Sequence, residues 1–222
     1  MKINALITGA TGMVGEGVLL QCLEDPNVEN ILVLTRKPTG RVHPKLKEIV
    51  HQNFFDLTPV ADQLAGYNAC YFCLGVSSLG MKEEEYTRLT YTLTMHVASI
   101  LADRNPEMVF CYVSGAGTDS SEKGKLMWAR VKGKTENDLM KLPFRKVYAF
   151  RPGAMIATPG QKNILTAYKY FSWMFPILKL LFPNSICTLE QVAQAMIAVT
   201  VTGYEKQHIE VKDIKCIAEN HR

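Results

Sequence analysis

The stretch ITGATGMVG, residues 7–15, decides the fold of this chain. Its three glycines, Gly9, Gly12 and Gly15, recur at intervals of three directly after the apolar run INALIT. Apolar residues with helical spacing follow over Met13–Glu24. The pattern therefore predicts a first strand, a tight glycine turn and a first helix.

Each glycine has a distinct role in such a turn. Gly9 permits the sharp reversal, Gly12 lets a diphosphate approach the backbone, and Gly15 lets the helix pack close to the sheet. Unpaired N–H groups and the helix dipole at this end attract phosphate. Because the glycines join a strand to a helix, which is the context this motif requires, we predict dinucleotide binding. The predicted contacts here are Gly9, Thr11, Gly12, Met13, Val14 and Gly15.

Apolar runs alternate with helical patterns as far as residue 151. The predicted strands are INALIT, NILVLT, EIVHQNF, ACYFCL, MVFCYVS and KVYAFRP. Strands rich in Val, Ile and Leu that alternate with helices form a parallel, doubly wound α/β sheet of the Rossmann type. We predict one domain over residues 1–222, with a cofactor-binding core at 1–153 and a small, irregular substrate region at 154–222.

Helix-start signals mark two further elements. Thr58 and Pro59 are typical of an N-cap and a first helical position. The sequence TLEQ at residues 188–191 is a capping box. Short strands are predicted at residues 209–211 and 215–218 near the end of the chain.

Composition excludes several classes of protein. A formal net charge of +4 is too small to indicate nucleic-acid binding. The basic residues between Lys123 and Lys146 are interpreted as a solvated helix face, the alternative being a face that binds anions or nucleic acid. Cys70 and Cys73 have CxxC spacing, but on a strand they point to opposite faces, so no metal site is expected. Free thiols and the lack of a leader pattern at the N-terminus favour a cytoplasmic location.

The apolar residues 164–183 require a membrane check. Lys169, Lys179 and Pro176 interrupt the stretch, so a membrane span is not expected. We interpret it as two short helices that are buried or line an apolar pocket; contact with a membrane surface is the alternative.

The second predicted strand ends at VLTRKP, roughly 20 residues after the glycines, where an acidic residue would favour NAD. Arg36 and Lys37 occupy this place. A guanidinium there can pair with a 2′-phosphate and stack on adenine. The sequence therefore predicts NADP(H) in preference to NAD(H), the alternative being that Arg36 is a solvated loop cation.

With GATGMVG, TRKP, NFFDL, CLGVSS, YVSGAGTD and RPG in this order, the chain resembles the short-chain dehydrogenase/reductase superfamily. It is most similar to the atypical or extended branch, which includes sugar-nucleotide epimerases, NmrA-like proteins and Tat-interacting oxidoreductase-like proteins. The resemblance covers roughly residues 1–153. It implies an active-site serine at Ser114. It also implies cofactor contacts at Asp56 and Leu57 (adenine), Leu74 and Gly75 (ribose), and Pro152 and Gly153 (nicotinamide).

The superfamily's YxxxK motif matches WARVKGK in this chain, with Lys132 at the lysine and Trp128 at the tyrosine. In the motif the tyrosine transfers a proton, and the lysine lowers the tyrosine pKa and binds the nicotinamide ribose. An indole N–H is too weak an acid for this transfer. Ser114, Lys132 or a water could supply the proton, the reaction could need no strong acid, or the protein could bind cofactor without turnover.

Two functions remain open. The first is an NADP(H)-dependent oxidoreductase or epimerase-like protein acting on a small, apolar or aromatic substrate, with Ser114, Lys132 and Trp128 as its catalytic candidates. Its pocket wall would include Phe171, Trp173, Met174 and Phe175. The second is a non-catalytic regulator that senses NADP(H) or binds a protein partner. The resemblance also makes a homodimer possible.

Overall fold

The computed structural model describes residues 1–164 and 184–221. In this part of the chain, seven parallel strands form one sheet in the order β3-β2-β1-β4-β5-β6-β9. The strands are β1 Ile3–Thr8, β2 Val28–Thr35, β3 Leu46–Val50, β4 Ala69–Phe72, β5 Val109–Val113, β6 Lys146–Arg151 and β9 His208–Glu210. A separate parallel pair consists of β7 Ala154–Ile156 and β8 Ile186–Thr188. The predicted doubly wound α/β fold is confirmed.

The strand order reverses beside β1, which pairs with β2 on one side and with β4 on the other. Ala5 lies opposite Ile31 of β2 and Ala69 of β4. Doubly wound sheets bind ligands at this reversal, beyond the carboxyl ends of the strands. The glycine turn that follows Thr8 lies at this edge of the sheet.

Helices cover both faces of the sheet. They are α1 Met13–Glu24, α2 Glu83–Thr87, α3 Leu93–Arg104, α4 Met127–Leu139, α5 Leu189–Thr202 and α6 Val211–Glu219. A π-helical turn, Arg88–Thr92, joins α2 to α3. Along β1, Ile7 packs in a core that includes α1 and α5, whereas Leu6 packs in a core that includes α3. The alternation shows that β1 is buried on both faces.

Three local predictions differ from the structure. Thr58 is the first residue of a 3₁₀ helix, Thr58–Leu64, and not its N-cap. Leu57 occupies the N-cap position and makes no side-chain capping hydrogen bond. The third strand ends at Val50 and does not continue to residue 54. Residues 215–218 lie in α6 and not in a strand, because a capping box between Glu210 and Asp213 begins a helix there.

The C-terminal residues contribute more regular structure than the sequence indicated. Helix α5 begins with the predicted capping box: Gln191 N donates to Thr188 Oγ1 at 3.0 Å, and Thr188 N donates to Gln191 Oε1 at 2.9 Å. It packs against α1 and α6, and β9 extends the main sheet beside β6. Residues 184–221 therefore form part of the core of the domain and do not serve a substrate region alone.

Several predictions concern residues that the structure does not describe. Residues 165–183 fall in this gap, and with them Lys169, Pro176, Lys179 and the expected pocket wall of Phe171, Trp173, Met174 and Phe175. Within the described ranges, no helix combines the length and apolar character needed to cross a membrane. The same ranges hold no His, Cys, Asp or Glu cluster arranged for a metal ion.

Candidate functional site

The glycine turn lies against the end of β4. Gly9 has a φ of 72°, a conformation that glycine adopts without steric cost. A Cβ added to Gly9 would lie 2.6 Å from the carbonyl oxygen of Cys73, immediately after β4. A Cβ added to Gly15 would lie 2.2 Å from the carbonyl oxygen of Gly9. The protein's own packing thus requires glycine at both positions.

Gly12 differs from these two glycines. A Cβ there would meet the carbonyl oxygen of Gly9 at 3.4 Å, which is ordinary contact. Gly12 N donates to the same oxygen at 2.9 Å, and Gly12 is the N-cap of α1. The amides of Met13 and Val14 follow in the first helical turn, where N–H groups have no acceptor within the helix. The turn therefore presents backbone donors on a side that Gly12 leaves open.

Two adjoining cavities lie beside this turn. The smaller, about 140 Å³, is lined by Arg36, Gln52, Asn53, Phe54, Phe55, Leu74, Gly75, Val76, Leu89 and Leu93. The larger, about 570 Å³, is lined by Thr11, Arg36, Lys37, Pro38, Gln52 and Asn163. Because Arg36 and Gln52 line both, the cavities form one crevice from the glycine turn to the end of β4. Five predicted contacts, Thr11, Arg36, Lys37, Leu74 and Gly75, line this crevice.

Asp56 and Leu57 are not among the residues that line this crevice. Leu57 is fully buried in the core, and Asp56 Oδ1 accepts a hydrogen bond from Thr58 N at 3.1 Å. Asn53 and Phe54 line the smaller cavity in their place.

A buried carboxylate borders the larger cavity. Glu16 on α1 is 2% exposed and accepts hydrogen bonds from Arg41, at 2.6 Å, and from the backbone amides of Lys162 and Asn163, at 3.0 and 2.7 Å. Burial alone would raise the pKa of Glu16, but these hydrogen bonds outweigh it and lower the pKa. Glu16 thereby holds Asn163 at the crevice wall.

A second cluster of charges lies at the carboxyl ends of β5 and β6. The hydroxyl of Ser114, which follows β5, bonds to a carboxylate oxygen of Glu136 and lies 3.1 Å from the carbonyl oxygen of Phe150. Lys132 Nζ donates to the carbonyl oxygen of Ser114. The structure thus brings together the two predicted catalytic residues, Ser114 and Lys132.

Glu136 is the functional candidate that sequence reasoning missed. It is fully buried on α4 and pairs with Arg151 of β6, whose Nη2 lies 2.5 Å from Oε2 and whose Nε lies 3.1 Å from Oε1. The other oxygen contacts of Arg151 are with Ser120, at 2.5 Å, and Glu210, at 3.2 Å. The spacing of Glu136 four residues after Lys132, on one helix face, is the signal that could have indicated it.

The pKa of Lys132 differs from that of a free lysine. Burial lowers the pKa to about 8, and the negative charge of Glu136 acts in the opposite direction. An ammonium with this pKa is charged at neutral pH and is also able to release a proton.

Trp128 and the residues after β6 frame this cluster. The Trp128 ring lies beside the loop after β5, 3.6 Å from the Cβ that Gly117 lacks. The Pro152 carbonyl accepts from Ala116 N at 2.8 Å, and a Cβ on Gly153 would lie 2.1 Å from the Ser185 carbonyl oxygen. Pro152 and Gly153 therefore fix neighbouring loops, and neither lines the two cavities described above.

Comparison with solved structures supports the fold. The Bordetella bronchiseptica enzyme WbmF, solved with NAD⁺, has a TM-score of 0.68 at 14% identity over 99% of this chain and 77% of that chain. Helicobacter pylori ADP-L-glycero-D-manno-heptose-6-epimerase has a TM-score of 0.67 at 14% identity, with coverage of 99% and 82%. A short-chain dehydrogenase family protein from Francisella tularensis has a TM-score of 0.65 at 15% identity, over 91% of this chain and 93% of that chain. The resemblance to this superfamily is thus confirmed as one of fold.

Curated sequences give weaker similarity. No family model matches the chain. Protein FMP52, mitochondrial, of Eremothecium gossypii is 28% identical over 156 residues, 69% of this chain and 67% of that protein. Leucinostatins biosynthesis cluster protein T of Purpureocillium lilacinum is 26% identical over 145 residues, with coverage of 63% and 52%.

The predicted cytoplasmic location is wrong by this comparison. Relatives from several fungi, including Eremothecium gossypii and Debaryomyces hansenii, carry a mitochondrial location in their names. Free thiols indicate a reducing environment, which does not distinguish one intracellular compartment from another.

Proposed function

We propose that this chain binds NADP(H) and transfers hydride between the cofactor and a small apolar or aromatic molecule. The observation that carries the proposal is the crevice that runs from the glycine turn to the end of β4, with Arg36 and Lys37 in its wall. It combines backbone N–H donors, an apolar cavity and two cations, which are the groups that diphosphate, adenine and a 2′-phosphate require.

The adenine half of the cofactor fits the crevice as follows. The adenine occupies the smaller cavity between Phe54 and Leu74, with Arg36 at its mouth. The diphosphate binds at the start of α1, beside Gly12. Lys37 and Arg36 then bind the 2′-phosphate, and a guanidinium suits a phosphate because it forms paired hydrogen bonds. WbmF, of the same fold, is solved with NAD⁺, and the two cations support NADP(H) for this chain.

The nicotinamide half extends toward the carboxyl ends of β5 and β6. Lys132 binds the nicotinamide ribose, and Trp128, Pro152 and Gly153 border the ring. These positions support residues 1–153 as the cofactor-binding core and residues 154–222 as the substrate side of one domain. Residues 165–183 lie outside the described part of the chain, and it is part of this proposal that they contact the substrate.

Calorimetric titration with NADPH and with NADH tests the cofactor, and NADPH absorbance with a panel of aromatic carbonyls and quinones tests turnover. We expect NADPH to bind at least about tenfold more tightly than NADH, which corresponds to ~1.4 kcal/mol. We also expect oxidation of NADPH by at least one panel member. Equal affinities would overturn the NADP(H) preference.

A regulator that senses NADP(H) without turnover is the second candidate. Two observations favour it: Trp128 stands where the superfamily has its tyrosine, and the Ser114 hydroxyl is bonded to Glu136. Tight NADPH binding, with no oxidation across the panel and none after Trp128→Tyr, would support the regulator over the enzyme.

A further inference from the structure

One face of α4 carries Trp128, Lys132 and Glu136 at intervals of four residues, which places their side chains in a row. Ser114 meets this row from the end of β5, and Arg151 meets it from the end of β6. The hydrogen bonds in this cluster determine which of its groups is able to give a proton to a substrate.

The Ser114 hydroxyl has one proton, and both acceptors within reach are protein groups. One is a carboxylate oxygen of Glu136, and the other is the carbonyl oxygen of Phe150, 3.1 Å away. A carboxylate accepts hydrogen bonds more strongly than a carbonyl. The Ser114 proton is therefore held by Glu136 and is directed away from a ligand.

Lys132, unlike Ser114, keeps protons that can be donated to a ligand. Its ammonium has three N–H groups. Within the described part of the chain, the Ser114 carbonyl accepts one of them, which leaves two for a ligand. Since Trp128 is unable to act as an acid, Lys132 is the acid of this row that keeps free donors.

We propose that Lys132 is the proton donor of the reduction and that Glu136 is its positioning residue. The inference rests on the proposed function. Glu136 orients Ser114, and the Ser114 carbonyl in turn holds Lys132 Nζ. In the step, hydride passes from C4 of NADPH to the substrate carbonyl carbon, and the C=O π pair takes a proton from Lys132. The products are NADP⁺, an alcohol and a neutral Lys132 amine, which water reprotonates.

The electrostatics of the cluster agree with this assignment. The pKa of Lys132, lowered to about 8 mainly by burial, suits a general acid near neutral pH. In the described part of the chain, the charged and titratable groups nearby include Glu136 on the same helix, Tyr112 from β5, Arg151 from β6, and His208 and Glu210 from β9. His208 Nε2 lies 3.5 Å from Glu136, and Arg151 lies 3.2 Å from Glu210.

The first test measures the Lys132 ammonium directly, by NMR titration of protein labelled at lysine Cε in the presence of NADPH. The Lys132 resonance is assigned as the one lost in Lys132→Arg. We expect a midpoint near pH 8 in the wild type and a lower midpoint in Glu136→Gln, because Gln removes the charge that favours the ammonium. A wild-type midpoint above about 10, the value of an ordinary lysine, would overturn the proposal.

The second test separates binding from proton transfer. Lys132→Arg keeps the positive charge that binds the ribose, but arginine does not release a proton at these pH values. We expect NADPH affinity within about threefold of the wild type and turnover at least ~100-fold lower. Turnover within fivefold of the wild type would overturn the proton-donor role. Failure of the wild type to bind NADPH would instead overturn the proposed function.

The role of Glu136 has its own readout. Turnover of the wild type falls as pH rises through the Lys132 pKa, and in Glu136→Gln we expect this fall at lower pH. Glu136→Asp should return it toward the wild-type position. A lower plateau with an unmoved pH profile would indicate a structural role alone. If Glu136→Gln does not fold, the Lys132 midpoint in Glu136→Gln combined with Arg151→Met decides, and a midpoint that is not lower than that of the wild type counts against the proposal.

Discussion

The two ends of the cofactor crevice are built differently. At the glycine turn, the site consists of backbone amides and open cavities, and its buried carboxylate, Glu16, is held by Arg41 together with main-chain N–H groups. At the ends of β5 and β6, the site consists of side chains bonded to one another around Glu136. The first end depends on backbone shape and the second on charge pairing, so substitutions should affect them in different ways.

The largest effect is expected at the charged end. Arg151→Met leaves the buried Glu136 without its main partner, which typically costs about 3–5 kcal/mol of unfolding free energy. Glu136→Gln combined with Arg151→Met should recover at least half of the loss, because no unpaired charge remains. Urea unfolding of both variants measures the difference. Arg145→Met, at an exposed arginine just before β6, is the matched control and should stay within about 0.5 kcal/mol of the wild type.

At the glycine turn the expected loss is smaller and comes from steric overlap. Gly15→Ala places a methyl group 2.2 Å from the Gly9 carbonyl oxygen and should cost about 1–3 kcal/mol of unfolding free energy.

Gly12→Ala meets ordinary contact, so its cost in stability should be about 1 kcal/mol or less. NADPH binding should nevertheless fall at least about tenfold in Gly12→Ala. Thermal unfolding and calorimetry together test this; unchanged affinity in Gly12→Ala would contradict diphosphate binding at the turn.

The same contrast explains what the sequence predicted. The turn, Arg36 and Lys37 follow from local spacing, the Leu74–Gly75 pair follows from the resemblance to a known superfamily, and the structure brings them to one crevice. Glu136 was not predicted from the sequence, because its partners Ser114 and Arg151 are 22 and 15 residues away along the chain. The spacing from Lys132 places Glu136 on the same helix face, but side-chain pairing with partners so far along the chain has no local pattern.

Errors at element ends have a similar origin. The third strand was predicted to reach residue 54, whereas it ends at Val50. Residues 215–218 are a short apolar run, and such a run does not distinguish a strand from a buried helix segment. The capping box of Glu210 and Asp213 was the signal that would have indicated the helix.

A smaller effect is expected in cofactor choice. Arg36→Asp replaces a cation that lines both cavities with an anion, so NADPH affinity should fall about tenfold, or ~1.4 kcal/mol, while NADH affinity is kept or improved. Lys47→Asp, which makes the same charge change at an exposed position on β3, is the control. If both variants lose NADPH affinity equally, net charge and not Arg36 determines the preference.

The smallest effect concerns Glu16 and the pH dependence of stability. Its pKa is lowered in the folded protein, so it binds a proton more readily when unfolded, and its stabilising contribution is present above the unfolded pKa of about 4.5. This contribution is lost as pH falls through the folded pKa. Glu16→Gln should therefore reduce the acid-side slope of unfolding free energy against pH, measured by urea unfolding at a series of pH values.

Exposed Glu24 on the same helix is the matched control, and Glu24→Gln should keep the wild-type slope. A slope unchanged in Glu16→Gln would mean that neither Arg41 nor the amides of Lys162 and Asn163 stabilise the charged form. Glu16 would then contribute no pH-dependent stability although it has an arginine partner, as Glu136 has Arg151, and an ion pair by itself would not explain the difference between the two ends.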